Sequence, residues 1–195
     1  MTDAILELLP ARKGHFLLES GHHGDLWLDL DLLCLNPDPV RRFAAEIARR
    51  LARYEVDMIC GPLVEGAFVA LLTALELGAP YSYTERFARE PGDALYPYEY
   101  RIPRNLRDRV RGKRVAIVND VINAGSAVRG TFAELRGCEA RPVAIGAILV
   151  LGTWASEFAA ANRMGLETLC ALPNTLWTAA DCPLCRNNVA LSESG

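Results

Sequence analysis

Asp120, Gly125 and Ser126 follow one another closely in the run Asn119-Asp120-Val121-Ile122-Asn123-Ala124-Gly125-Ser126-Ala127. A carboxylate at this point can hold sugar hydroxyls or a magnesium-bound oxygen. Small residues just ahead of a helix leave backbone N–H groups open to a phosphate, and the positive end of the helix dipole favours the same anion. The chemistry to which these types point is recognition of a sugar phosphate. The run contains neither GxxxxGK[ST] nor GxGxxG, so it is not a Walker loop or a dinucleotide fingerprint. The plain alternative is an ordinary strand–turn–helix.

Two further groups carry chemistry. Gly61-Pro62-Leu63-Val64-Glu65-Gly66 is a turn whose small residues let a backbone approach a ligand closely. Cys182-Pro-Leu-Cys185 has metal-knuckle spacing. No second CxxC accompanies it, so zinc would need two more ligands, from Cys34 or from among the three histidines. Reduced thiols in a C-terminal turn are the simpler expectation. Cys60 and Cys170 lie in apolar runs and read as small buried hydrophobes.

These residues need a scaffold to position them. Val115-Ala116-Ile117-Val118 reads as a buried parallel strand within 114–118, and 125–135 as the helix after the loop. Residues 3–9 read as a short helix. Segments 15–19 and 25–30 read as a hairpin-like pair joined by Ser20-Gly21-His22-His23-Gly24. Residues 39–53 form an amphipathic helix with Asp38 as N-cap, and Phe43, Ile47 and Leu51 on one face. Then follow strand 56–60, helix 65–77 ended by Gly78, strand 80–84, strand 142–150, helix 154–163 and strand 166–172. Residues 86–112 are polar, proline-containing and poor in periodicity, and read as an irregular insert, either a functional lid or a disordered loop. The alternation gives an α/β fold with an open, mainly parallel sheet, whose ligands bind at the carboxyl ends of the strands.

Composition bounds the partners. The 195 residues carry a net charge of −3 and are 51% hydrophobic, enough for one domain with a substantial core and a weak argument against nucleic acid. No apolar run reaches the length of a membrane span. The N-terminal residues lack a basic start followed by an apolar stretch, so the expected compartment is the cytoplasm.

In order and residue type, the strand, acid, glycine and hydroxyl around Asp120 resemble the 5-phosphoribosyl-1-pyrophosphate loop of the type I phosphoribosyltransferases. The run Asp-Val-Ile-x-Ala-Gly-Ser-Ala is most similar to the orotate phosphoribosyltransferase branch, and the likeness extends to residues 14–35, 56–80 and 141–151. The resemblance implies a single domain over 1–195. A base-binding hood would span 1–36, the α/β core 37–172, and a tail with the CxxC 173–195. It implies transfer of a phosphoribosyl group to a nitrogenous base, orotate by nearest likeness, with Mg²⁺ and in a homodimer. The alternatives are another base, or a regulatory protein that binds the ligand without turnover.

The resemblance also implies roles. Asn119 and Asp120 would hold the ribose hydroxyls, with Asp120 indirectly at Mg²⁺. Asn123, Ala124, Gly125, Ser126 and Ala127 would hold the 5′-phosphate, and Gly61, Pro62, Glu65 and Gly66 the pyrophosphate. Ser20 and Trp27 would face the base, Trp27 by stacking, unless it is a core residue of its strand. A lid over 86–101, with Arg86, Arg89, Asp93, Tyr96, Tyr98 and Arg101, would close over the site. Arg86 and Arg89 stand in for the family's lid lysine, because no lysine occurs between Lys13 and Lys113. Four departures stand out: Asn119 where the family has a first acid, Asn123 where the loop usually has Thr, Glu19 where lysine is common before Ser-Gly, and Leu151-Gly152-Thr153 where an arginine is usual.

Overall fold

A computed structural model describes residues 2–89 and 95–193; Asp93 lies outside them. The elements in chain order are α1 (Thr2–Glu7), β1 (Ala11–Leu17), β2 (His23–Leu28), α2 (Pro37–Leu51), β3 (Met58–Pro62), α3 (Glu65–Leu77), β4 (Tyr81–Ala88), β5 (Tyr98–Arg101), α4 (Arg107–Val110), β6 (Arg114–Ile122), α5 (Ser126–Gly137), β7 (Arg141–Leu151), α6 (Trp154–Ala161), β8 (Gly165–Leu172), β9 (Leu176–Trp177) and α7 (Pro183–Arg186). Short 3₁₀ turns occur at Leu30–Leu35, Ala52–Tyr54 and Arg104–Leu106.

The central sheet has the order β5-β4-β3-β6-β7-β8, and every neighbouring pair is parallel except β4 with β5. This is the mainly parallel α/β architecture expected. Such a sheet is buried on both faces, and β6 shows it. Ala116 and Val118 pack with Phe43, Ile47 and Val69 from α2 and α3, while Val115 and Ile117 pack with Val128 and Leu135 of α5. In α2, Val40, Phe43, Ala44, Ile47, Ala48 and Leu51 are all buried, the stripe that the 3.6 period dictates.

Strands β1 and β2 begin at Ala11 and His23, earlier than the sequence reading places them, so His23 and Gly24 pair in the ladder rather than forming the turn. Two further boundaries differ for physical reasons. Asn36, not Asp38, caps α2, because Pro37 supplies the first helical position and needs no N–H partner. Strand β6 does not stop at Val118. Asn119, Val121 and Ile122 continue the ladder against Ala147, Leu149 and Val150 of β7, since backbone pairing is indifferent to the polarity of the side chains.

Within 86–112 the described residues carry more regular structure than the composition suggests. Glu85, Arg86, Phe87 and Ala88 pair with Arg101, Tyr100, Glu99 and Tyr98 in an antiparallel ribbon at the sheet edge, and Leu106 and Val110 pack onto the core beyond it. A second, three-stranded sheet of order β1-β2-β9 forms the hood, so a strand of the tail completes it. Among the described residues, no helix is long and apolar enough to cross a membrane.

Candidate functional site

The sheet's carboxyl edge, the hood and two helix N-termini enclose a cavity of about 460 Å³. Strand β6 delivers Asn119 and Asp120 to it, residues 123–125 form its bend, and α5 starts at Ser126. Gly125 has φ +76°, a left-handed conformation, and a Cβ on it would meet the Trp154 ring at 2.0 Å. Only glycine satisfies both the turn and that approach. No side chain caps the N-terminus of α5. The first-turn amides of α5 are therefore left without a side-chain acceptor, at the place where the sequence predicts an anion site.

Opposite that bend runs the segment from Pro62 to Gly66, where β3 passes into α3 and the Leu63–Val64 peptide is cis. A Cβ on Gly66 would lie 1.9 Å from Asn119 Oδ1. The glycine leaves room for the Asn119 amide, whose Nδ2 donates to the Val121 carbonyl at 2.9 Å. Gly61 serves packing instead, since it lies in β3 against Ala67 and Ala70 of α3 and does not line the cavity. Pro62, Glu65 and Gly66 do line it.

Asp120 is 4% exposed, and its Oδ2 has no hydrogen-bond partner. Burial pushes its carboxyl up to about 7; backbone N–H donors of Val121 and Asp120 itself oppose the rise, and the charges of Glu65 and Glu19 add to it. Glu19, Asp29, Asp31, Glu65 and Asp120 all line the cavity, and no lysine, arginine or histidine does so among the described residues. An acidic cavity built around an unpaired carboxylate oxygen suits a hydroxyl donor or a hard divalent cation. Mg²⁺ fits this donor set, with Asp120 and Glu65 as the residues to hold it.

The hood supplies the cavity's other wall. Ser20 is buried at the β1–β2 turn and accepts from His22 N–H, and the His22 Nδ1 lies 3.0 Å from the Ser20 hydroxyl. Trp27 lines the cavity, donates from Nε1 to Asp29 at 2.9 Å and packs its ring 5.7 Å from Phe16. Its half-buried ring thus forms part of the cavity wall while packing against Phe16. Glu19 sits at the mouth, accepting from the hydroxyls of Tyr100 and Ser126 and from Arg86 Nη1 at 2.7 Å.

Arg86 is therefore committed to Glu19, with its guanidinium over the Tyr98 ring, and neither it nor Arg89 lines the cavity. Tyr96 reaches the loop, its hydroxyl donating to the Ala124 carbonyl at 3.3 Å. Sequence reasoning misses Glu19 as an acceptor beside the start of α5, and also Asp31 and Tyr100. Nothing in their local spacing signals the cavity, since they come from a turn, a 3₁₀ segment and an edge strand.

Cys182 and Cys185 do not line this cavity and lie beside His15 and His23. Cys34, the other thiol considered for zinc, is not among them.

Residues 36–157 match the phosphoribosyl transferase domain. The orotate phosphoribosyltransferase of Caldanaerobacter subterraneus subsp. tengcongensis is 26% identical over 183 residues, 94% of this chain and 89% of that protein. The one from Bartonella bacilliformis is 30% identical over 151 residues, 75% of this chain and 69% of that protein. Among solved structures, the orotate phosphoribosyltransferase of Aeropyrum pernix superposes with a TM-score of 0.63 at 21% identity, over 88% of this chain and 94% of that one. An adenine phosphoribosyltransferase of Trypanosoma brucei gives 0.68 at 16%, over 87% of this chain and 78% of that one. The matched span runs from the cap of α2 to the first turn of α6 and so carries the Asn119–Ala127 run and the Pro62–Gly66 segment together; the chain belongs to the phosphoribosyltransferase family.

Proposed function

We propose that this chain transfers the phosphoribosyl group of 5-phosphoribosyl-1-pyrophosphate to a nitrogenous base, orotate by the names of its relatives, as a cytoplasmic homodimer. The observation that carries the reading is the cavity's layout. An uncapped helix start, a buried unpaired carboxylate and a second glycine-bearing turn face one another within one space. The amides of 124–127 would hold the 5′-phosphate. Asn119 and Asp120 would accept the ribose hydroxyls, and Pro62, Glu65 and Gly66 would lie along the pyrophosphate.

In the reaction the C1–oxygen bond breaks, its electron pair leaves with pyrophosphate, and a ring nitrogen of the base supplies the pair for the new C1–N bond. When bound, Mg²⁺ neutralises the pyrophosphate against a wall that has only carboxylates of its own. The protein positions both reactants, excludes water and keeps one negative charge, Asp120, under the carbon that becomes cationic. Asn119 can accept a hydroxyl proton but brings no charge.

One observation favours a second base. Orotate carries a carboxylate, and no cationic side chain among the described residues lines the cavity. An uncharged base would leave no such group unpaired. Pyrophosphate release measured with Mg²⁺, the sugar pyrophosphate and a panel of bases decides between them. Release with orotate supports the relatives' base, and release with an uncharged base alone supports the second. Tight binding of the sugar pyrophosphate with no release on any base would point to a ligand sensor and contradict the enzymatic reading.

A further inference from the structure

His15 of β1, His23 of β2, and Cys182 and Cys185 at α7 converge where the hood meets the tail. One donor atom from each lies within 4.8 Å of all the others. His15 Nε2 is 3.4 Å from Cys182 Sγ and 3.6 Å from Cys185 Sγ, and His23 Nδ1 is 3.3 Å from Cys185 Sγ. A tetrahedral zinc, with Zn–S of about 2.3 Å and Zn–N of about 2.0 Å, sets nitrogen and sulfur ligands about 3.5 Å apart. The three N···S distances bracket that value. The two nitrogens stand 2.7 Å apart, whereas the same tetrahedron would hold them about 3.3 Å apart; a bound ion separates them and displaces the proton that His23 Nδ1 shares with His15 Nε2.

The surroundings prepare the ligands. His15 Nδ1 lies 2.7 Å from the Val189 carbonyl, which can only accept. The proton is thereby fixed on Nδ1, and the Nε2 lone pair faces the cluster, the orientation that a carbonyl commonly gives a metal-bound histidine. Val189 is itself held by its N–H to the Leu184 carbonyl at 2.9 Å, within the turn that carries both thiols. Cys182 is fully buried, and His15 and His23 are nearly so.

We propose that His15, His23, Cys182 and Cys185 form a structural Cys₂His₂ zinc site that clamps the tail onto the hood. Four protein ligands close the coordination sphere, which is the structural rather than the catalytic pattern. None of the four lines the sugar-phosphate cavity. Strand β9, which joins the tail to the hairpin, is only two residues long, so a staple between tail and hood adds to a slight contact. The clamp also serves the site, because β2 runs from His23 to Trp27 and the β1–β2 turn carries Ser20. Fixing the hairpin fixes both cavity residues.

The test is elemental analysis of the full chain purified under reducing conditions without chelator, followed by metal removal and titration with Co²⁺. One zinc per chain is expected, and one equivalent of Co²⁺ should give the intense visible bands of a tetrahedral thiolate–imidazole site. Cys185→Ser should abolish both signals, whereas Cys34→Ser, outside the cluster, should keep them. Should Cys185→Ser fail to fold, the cobalt spectrum of the unaltered chain still decides. No stoichiometric zinc and no tetrahedral cobalt spectrum, with Cys182 and Cys185 free or joined as a disulfide, would overturn the proposal. The readout uses no substrate, so its failure is distinct from failure of the enzymatic reading.

Discussion

Asp120 is held in a state that its own folding disfavours. Its carboxyl titrates near 7 in the fold and near 4 in an unfolded chain. Between those values the native state binds the extra proton, so stability falls as pH rises from about 4 to about 7 and stays lowered above that. The shift corresponds to a penalty of up to about 4 kcal/mol in the ligand-free protein at pH 8. Asp120→Asn removes the charge and nearly preserves the shape. The variant is expected to gain most of that stability at pH 8 and little at pH 5, read by urea unfolding at the two values. Its turnover should fall by roughly two orders of magnitude or more, because it loses the charge set beneath C1. Equal stability of variant and wild type at both pH values would show that the carboxylate is not strained.

The same residue explains why substrate and cation belong together here. A sugar hydroxyl or a divalent cation supplies the partner that Oδ2 lacks. Binding should therefore strengthen as pH rises through about 7. Glu19 acts in the opposite sense at the mouth, where it occupies Arg86 and the Ser126 hydroxyl and adds negative charge beside the start of α5.

At the scale of elements, α3 links the site to the outside. Its first turn brings Glu65 and Gly66 to the cavity, while Phe68, Leu71 and Leu75, with Val64 just before the helix, remain 46–67% exposed. These four recur at helical spacing on one face, a stripe that a monomer would leave in water. Covering each is worth on the order of 1 kcal/mol. This supports the homodimer and suggests that α3 carries its interface. In sedimentation velocity the wild type is expected to run as a dimer and Phe68→Glu as a monomer at the same concentration. A wild type that is monomeric at micromolar concentration would contradict the assignment.

Across the whole molecule, what is legible in the sequence is whatever short-range order encodes. The Asn119–Ala127 loop is readable because strand, acid, glycine and hydroxyl are contiguous, and α3 is readable to the residue because Gly78 ends it in a left-handed cap. The end of β6 escapes because Asn119 and Asp120 look like loop residues, yet their backbone pairing depends only on β7. The β4–β5 ribbon is hidden because an edge pair exposed on one side tolerates Glu85, Arg86 and Glu99. The placing of Glu19 and Asp31 in the cavity, and the pairing of His15 and His23 with Cys182 and Cys185, are illegible for one reason. The residues come from distant parts of the chain, and only the hood sheet, closed by β9, brings the cluster together.

The central claim is that the start of α5 receives a phosphate monoester while Asp120 holds the adjoining sugar. Calorimetric titration of ribose 5-phosphate into the purified chain tests it most directly. The expected result is saturable binding at one site per chain, displaced by the sugar pyrophosphate and abolished by Ser126→Asp, which sets a carboxylate at the uncapped helix start. No binding heat, or binding that Ser126→Asp leaves unchanged, would contradict the account.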